Sequence, residues 1–178
     1  MNDYVSASLV KVGTDTPVRT PKITRLSTLA SAFAEQPTAS QLAEDPIVYR
    51  VERVEPLDDS TPEFSLTIIY PGVVGTEFFF TRGHDHQPAK GETYHCISGR
   101  GGLIVEQDNI FEWLPMEPGS VVQLRAGWAH RTINTGTEPL IFAGQYITPF
   151  EVDYSISESG FSARVHDDGD AGIQIIPK

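Results

Sequence analysis

From residue 47 onward the apolar positions fall in short alternating or continuous runs: IVYRVERV, FSLTIIY, TEFFFT, TYHCIS, GLIVEQ, SVVQLR, HRTIN and PLIFAGQYI. Successive side chains on a strand point to opposite faces, so each run reads as a β-strand with one or both faces covered. Turn formers separate them, at Pro71-Gly72, between Gly99 and Gly102, at Pro118-Gly119 and at Thr135-Gly136. Many short strands at close spacing build a sandwich or barrel and argue against alternating βα units. Two further strands, SARVH and IQIIP, flank the turn-like DDGD in the tail. Upstream the period changes. Ile23, Leu26, Leu29, Ala30 and Phe33 recur at helical spacing within ITRLSTLASAFAEQ, and a second short helix over ASQLAED ends before Pro46. Residues 1–21 are polar and interrupted by Gly13, Pro17 and Pro21, which predicts an extended arm. The expected organisation is one domain: residues 1–46 as an arm and short helices packed on a barrel formed by residues 47–178.

Length and composition narrow the class. A chain of 178 residues buries a sufficient core without cross-links, and its single cysteine, Cys96, forms no intrachain disulfide. With no apolar stretch near membrane-span length and no basic-then-apolar leader, the expectation is a soluble, cytoplasmic protein. A formal net charge of -11 repels nucleic-acid backbones and anionic lipid, so neither nucleic acid nor membrane is an expected partner. A phosphorylated small molecule stays compatible, because backbone amides and hydroxyls bind a phosphate without a basic surface.

The strongest chemical signal is GHDHQPAKGETYHCISG. On a strand His84 and His86 share a face that Asp85 does not, and on the returning strand Glu92 and Tyr94 share another. Further on, EPGSVVQLRAGWAHRTIN supplies His130 at the start of a strand, after a glycine turn. Three imidazoles and a carboxylate suit one divalent metal ion, iron(II), manganese, nickel or zinc, and leave positions for substrate. His95, by its parity, and His166, in the tail, are expected to be solvated or packing residues.

These segments resemble the paired motifs of the cupin superfamily, an HxH followed by Glu and Gly, then a glycine-anchored stretch ending in His and Asn134. More narrowly, TIIYPGVVGTEFFFTRGHDH, ETYHCISGRGGLIVEQ, WLPMEPGSVVQLRAGWAHRTIN and TGTEPLIFAGQY resemble the cupin-type phosphoglucose isomerases, with the likeness running from about residue 26 to 161. The resemblance implies an all-β cupin jelly-roll barrel and metal ligands at His84, His86, Glu92 and His130, with iron(II) first among the candidate ions. It implies phosphate contacts at Thr67, Thr81 and Gly83, with the two threonines expected on neighbouring strands and their hydroxyls directed inward, and tyrosines along the sugar at Tyr49, Tyr94 and Tyr146. Two departures stand out. Val152 precedes Asp153 and Tyr154 where the family commonly has a histidine, and the loop before Glu92 is shorter, with Gly91 and Thr93 differing from the usual residues.

The expected reaction is interconversion of glucose 6-phosphate and fructose 6-phosphate. Glu92 would carry a proton between C1 and C2 through a cis-enediol, with Tyr94 assisting; a hydride shift is the competing route. Another sugar or sugar phosphate, an iron-dependent oxygenase, and a sugar-binding module without turnover are the alternatives. Arg82 and Lys90 offer local positive charge near the phosphate, though both fit a solvated surface better. A homodimer is implied by the resemblance, and the run Phe78, Phe79, Phe80 is expected to turn at least one ring outward.

Overall fold

A computed structural model describes residues 20–54, 56, 61–149 and 151–178. Most of the arm expected over residues 1–21 lies outside the described residues. The strands are Lys22–Arg25 (β1), Ile47–Val54 (β2), Glu63–Ile69 (β3), Val73–Val74 (β4), Glu77–Phe78 (β5), Asp85–Gln87 (β6), Glu92–Ser98 (β7) and Gly101–Gln107 (β8). Ile110–Met116 (β9), Val121–Leu124 (β10), Ala129–Asn134 (β11), Leu140–Tyr146 (β12), Glu151–Asp153 (β13), Ala163–Asp167 (β14) and Ile173–Pro177 (β15) follow. Only short helices interrupt them, Leu26–Leu29 (α1), Ala39–Glu44 (α2) and Ser155–Ser159 (α3). The fold is all-β, and no helix among the described residues is long and apolar enough to cross a membrane.

One wall is a six-stranded antiparallel sheet in the order β1-β2-β3-β12-β7-β10. The other is more broken. It holds β11-β8-β9, the pair β13-β6 and the tail sheet β15-β14-β5-β4, and the bridges Phe80 to Ile133 and His84 to His130 join these pieces. Register decides what faces the interior. Arg53 pairs with Ser65, Ser65 with Gly144 and Gly144 with Tyr94, while Val51 pairs with Thr67 and Thr67 with Phe142. Period-two alternation therefore delivers two rows of side chains across β2, β3, β12 and β7 to one face.

The helical period assigned to ITRLSTLASAFAEQ is only partly realised. Its first residues form β1, pairing with β2, so that Thr24 is buried and Ile23 is exposed. An unpaired sheet edge is a stronger claim on this backbone than a helix of a few turns, which is marginal without packing. After it, Leu26, Leu29 and Phe33 enter the core, with the Phe33 ring 4.3 Å from that of Phe80. Each such apolar side chain contributes about 1.5–3 kcal/mol on burial. The second helix forms as expected, with Thr38 and Gln41 in a reciprocal capping box.

The aromatic run also differs from expectation. Phe78, Phe79 and Phe80 are all buried, at 8, 4 and 1 % exposure, so no outward ring is offered there for a dimer. The chain leaves regular strand geometry after Phe78, which breaks the alternation on which the expectation rested. Strand β9 is not foreshadowed by its composition, since IFEWLPM contains Pro115. Its hairpin with β8 closes at Asp108 and Asn109, both at positive φ (53° and 63°), as a tight two-residue hairpin requires.

Candidate metal centre

His84 and His130 are locked together by reciprocal backbone hydrogen bonds, His84 N to His130 O at 3.1 Å and His130 N to His84 O at 2.9 Å. That bridge sets their rings edge to face with centroids 4.5 Å apart, and His86, two residues further on, adds a third imidazole. Glu92 meets them from the other wall, as the first residue of β7. One candidate ligand atom from each of the four residues lies within 4.8 Å of the others. His86 Nε2 is 2.8 Å from Glu92 Oε1 and 2.9 Å from His84 Nε2, and His130 Nε2 is 3.7 Å from Glu92 Oε2. His130 Nδ1 sits 3.2 Å from the Trp128 carbonyl, which can only accept, so Nδ1 carries the proton and the Nε2 lone pair faces the cluster.

Two buried atoms in this cluster, Glu92 Oε2 and His130 Nε2, have no hydrogen-bond partner. Leaving a buried acceptor unsatisfied costs about 1–3 kcal/mol, and both are lone-pair donors aimed at the same space. A cation is what such a set accommodates, and three imidazoles with one carboxylate match a first-row divalent ion. The electrostatics agree. Burial and the neighbouring His130 ring hold His84 well below the usual imidazole range, and burial lowers His130. Burial alone would raise Glu92, but the hydrogen bond with His86 and the surrounding imidazoles outweigh it and bring the carboxyl down to about 2. Burial, followed by the nearby Glu92 charge, pushes the Tyr94 phenol well above its ordinary value.

The four candidate ligands line one cavity together with Tyr49, Thr67, Thr81, Gly83, Tyr94 and Tyr146. The sequence thus names the residues that the fold brings together, with one correction to their placement. Thr67 and Thr81 do not lie on neighbouring strands: Thr67 is on β3, whereas Thr81 pairs with Thr132 on β11, so they face the cavity from opposite walls. The run after Phe78 crosses to the second wall before Thr81 is reached. Thr81 Oγ1 accepts from Thr132 N at 3.0 Å, which leaves its own hydroxyl proton for another acceptor. Gly83 has a backbone reason to be glycine: at φ +80° a Cβ would stand 2.6 Å from the Phe161 ring. His95 is exposed and His166 bonds Thr76 through Nδ1 at 2.9 Å, so both stand apart from the cluster.

Other wall residues are not singled out by the sequence. Lys22, Arg53 and Tyr154 line the same cavity, and so does Arg82, for which the solvated surface was the favoured expectation. The Arg82 guanidinium lies 4.4 Å over the Tyr154 ring, which in turn stands edge-on to His84 at 6.1 Å. Arg53 shares strand parity with Tyr49, a signal that could have found it. Lys22 carried no such signal, because it directly precedes a segment of helical period. Val152 pairs with His86 in register on β13, which puts the departing position beside the cluster.

Residues 24–176 match the family described as glucose-6-phosphate isomerase (GPI). The chain belongs to this family. A glucose-6-phosphate isomerase of Thermococcus onnurineus (strain NA1) is 41 % identical over 175 residues, covering 94 % of this chain and 93 % of its own. The one of Pyrococcus horikoshii (strain ATCC 700860) is 42 % identical over 149 residues, 80 % of this chain and 79 % of its own. Among solved structures, a mutant of Bacillus subtilis oxalate decarboxylase is similar at a TM-score of 0.48 and 21 % identity, over 61 % of this chain and 29 % of that one. Membership of the family makes this protein an aldose–ketose isomerase, an intramolecular oxidoreductase acting on a sugar phosphate.

Proposed function

We propose that this isomerase works with one divalent metal ion, iron(II) first and manganese, nickel or zinc as the alternatives, held by His84, His86, Glu92 and His130. The observation that carries this is the convergence of three buried side chains, His86, Glu92 and His130, with the half-buried His84, where Glu92 Oε2 and His130 Nε2 have no hydrogen-bond partner. When bound, such an ion acts as a Lewis acid, offsetting negative charge that develops on the sugar oxygens. The remaining work falls to the chain. Thr67, Thr81 and Gly83 hold the phosphate, and Tyr49, Tyr94 and Tyr146 line the sugar. The carboxylate of Glu92 takes the proton from C2 of the open-chain aldose and returns it to C1, while a second proton passes from O2 to O1, through a cis-enediol. For this transfer the carboxylate loosens from the ion when substrate arrives, and Tyr94, two residues on and on the same face, orients it. Base catalysis of this kind accounts for about 10²–10⁴ in rate.

The test is a coupled assay on protein stripped by chelation and reloaded with each ion in turn, with elemental analysis of bound metal. Activity that disappears with the ion and returns with one or more of the four supports metal dependence; full activity in stripped protein refutes it. Turnover of glucose 6-phosphate deuterated at C2 addresses the proton route. Wash-out of deuterium to solvent supports the enediol, and complete transfer to C1 of the product supports a hydride shift.

A further inference from the structure

The chain carries 13 Lys and Arg against 24 Asp and Glu, so an average patch of its surface is acidic. The cavity wall inverts this. Lys22, Arg53 and Arg82 line it, and Glu92 is the one carboxylate among the lining residues, already engaged with the imidazole cluster. Lys22 and Arg53 both belong to the six-stranded wall. Lys22 pairs with Val51, which pairs with Thr67, and Arg53 pairs with Ser65 one row further on.

Both cations are tethered. The Arg53 Nη1 lies 3.8 Å from Glu63 Oε1, the same oxygen that accepts from the Tyr146 hydroxyl at 2.9 Å. At 3.8 Å the contact is an ion pair and no hydrogen bond, so Glu63 positions the guanidinium without engaging its donors. Lys22 Nζ donates to the Tyr154 hydroxyl at 3.4 Å.

We propose that Lys22 and Arg53 are specificity-determining residues, a pair of cations from neighbouring rows of one sheet that make the cavity select a phosphorylated sugar over the same sugar without its phosphate. Hydroxyls and a glycine can hold a phosphate but discriminate weakly by charge. One ammonium and one guanidinium with remaining donors pair with a dianion and gain nothing from a neutral sugar. This rests on the cavity being the sugar-phosphate site, and it adds the groups that read the charge.

The experiment compares glucitol 6-phosphate with glucitol by titration calorimetry on the metal-loaded protein and its Lys22→Gln, Arg53→Gln and Arg53→Lys variants. Loss of one charge-assisted hydrogen bond at a partly exposed side chain weakens binding by about tenfold. Arg53→Gln is therefore expected to bind glucitol 6-phosphate about tenfold more weakly with glucitol unchanged, Lys22→Gln to move the same way by less, and Arg53→Lys to recover part of the loss. Equal weakening of both probes, or no change in their ratio in either glutamine variant, overturns the proposal. Thermal melts accompany each titration; if Arg53→Gln is poorly folded, Lys22→Gln, altered at an exposed position, decides. A wild-type protein that prefers the phosphorylated probe, loses the preference in the variants, yet turns over no sugar phosphate would sustain charge selection and sink the proposed reaction. Normal turnover with an unmoved ratio would do the reverse.

Discussion

Glu77→Gln is expected to lower stability by about 3 kcal/mol without touching the cavity that holds the imidazole cluster. Glu77 is only 3 % exposed, and both its oxygens take hydrogen bonds from Arg164 Nη1, at 2.7 and 2.9 Å. Oε2 also accepts from Ala34 N at 2.7 Å, and Arg164 Nη1 reaches the Ala32 carbonyl at 3.1 Å. One buried pair thus fastens the segment after α1 to β5 and β14. Breaking a buried ion pair by removing one partner costs about 3–5 kcal/mol. Gln keeps one acceptor and Arg164 is one-fifth exposed, so the lower end applies. For a chain of this size 1 kcal/mol moves Tm by about 2–4 °C, giving a drop of about 6–12 °C in a thermal melt. The double variant Glu77→Leu with Arg164→Met, which buries no uncompensated charge, should lie closer to wild type than Glu77→Gln. A shift under about 2 °C for Glu77→Gln, or a double variant less stable than it, would refute the assignment of this pair as a structural clamp.

His130→Ala removes an imidazole whose lone pair faces the cluster, and the metal affinity read by elemental analysis after dialysis should fall at least about tenfold, since even outer-shell changes cost 10–100-fold. Thr81→Val leaves Thr132 N without its acceptor and the cavity without a hydroxyl; a loss of about 1–3 kcal/mol in denaturant unfolding is expected, together with a raised KM for glucose 6-phosphate. Gly83→Ala places a Cβ against Phe161 at a positive φ and should cost about 1–3 kcal/mol, so a Tm equal to that of wild type would show that the backbone there relaxes without strain.

Local chemistry made much of this protein legible before folding. The period-two runs announce strands because alternation is a property of the backbone itself, and the HxH spacing puts His84 and His86 on one face for the same reason. Residue chemistry alone also gathers His130 and Glu92 into the candidate ligand set. What depends on the partner was not legible. Lys22 reaches the cavity because the edge of β2 captures it together with the start of the segment of helical period, and Phe78, Phe79 and Phe80 all turn inward because the chain leaves the strand between walls. Thr67 and Thr81 meet from opposite walls by the same crossing, and Arg53 is held at the cavity by Glu63, ten positions along on the next strand. Pattern along the chain determines which side each residue shows; only sheet order and register, set by contacts between distant segments, determine what it shows itself to.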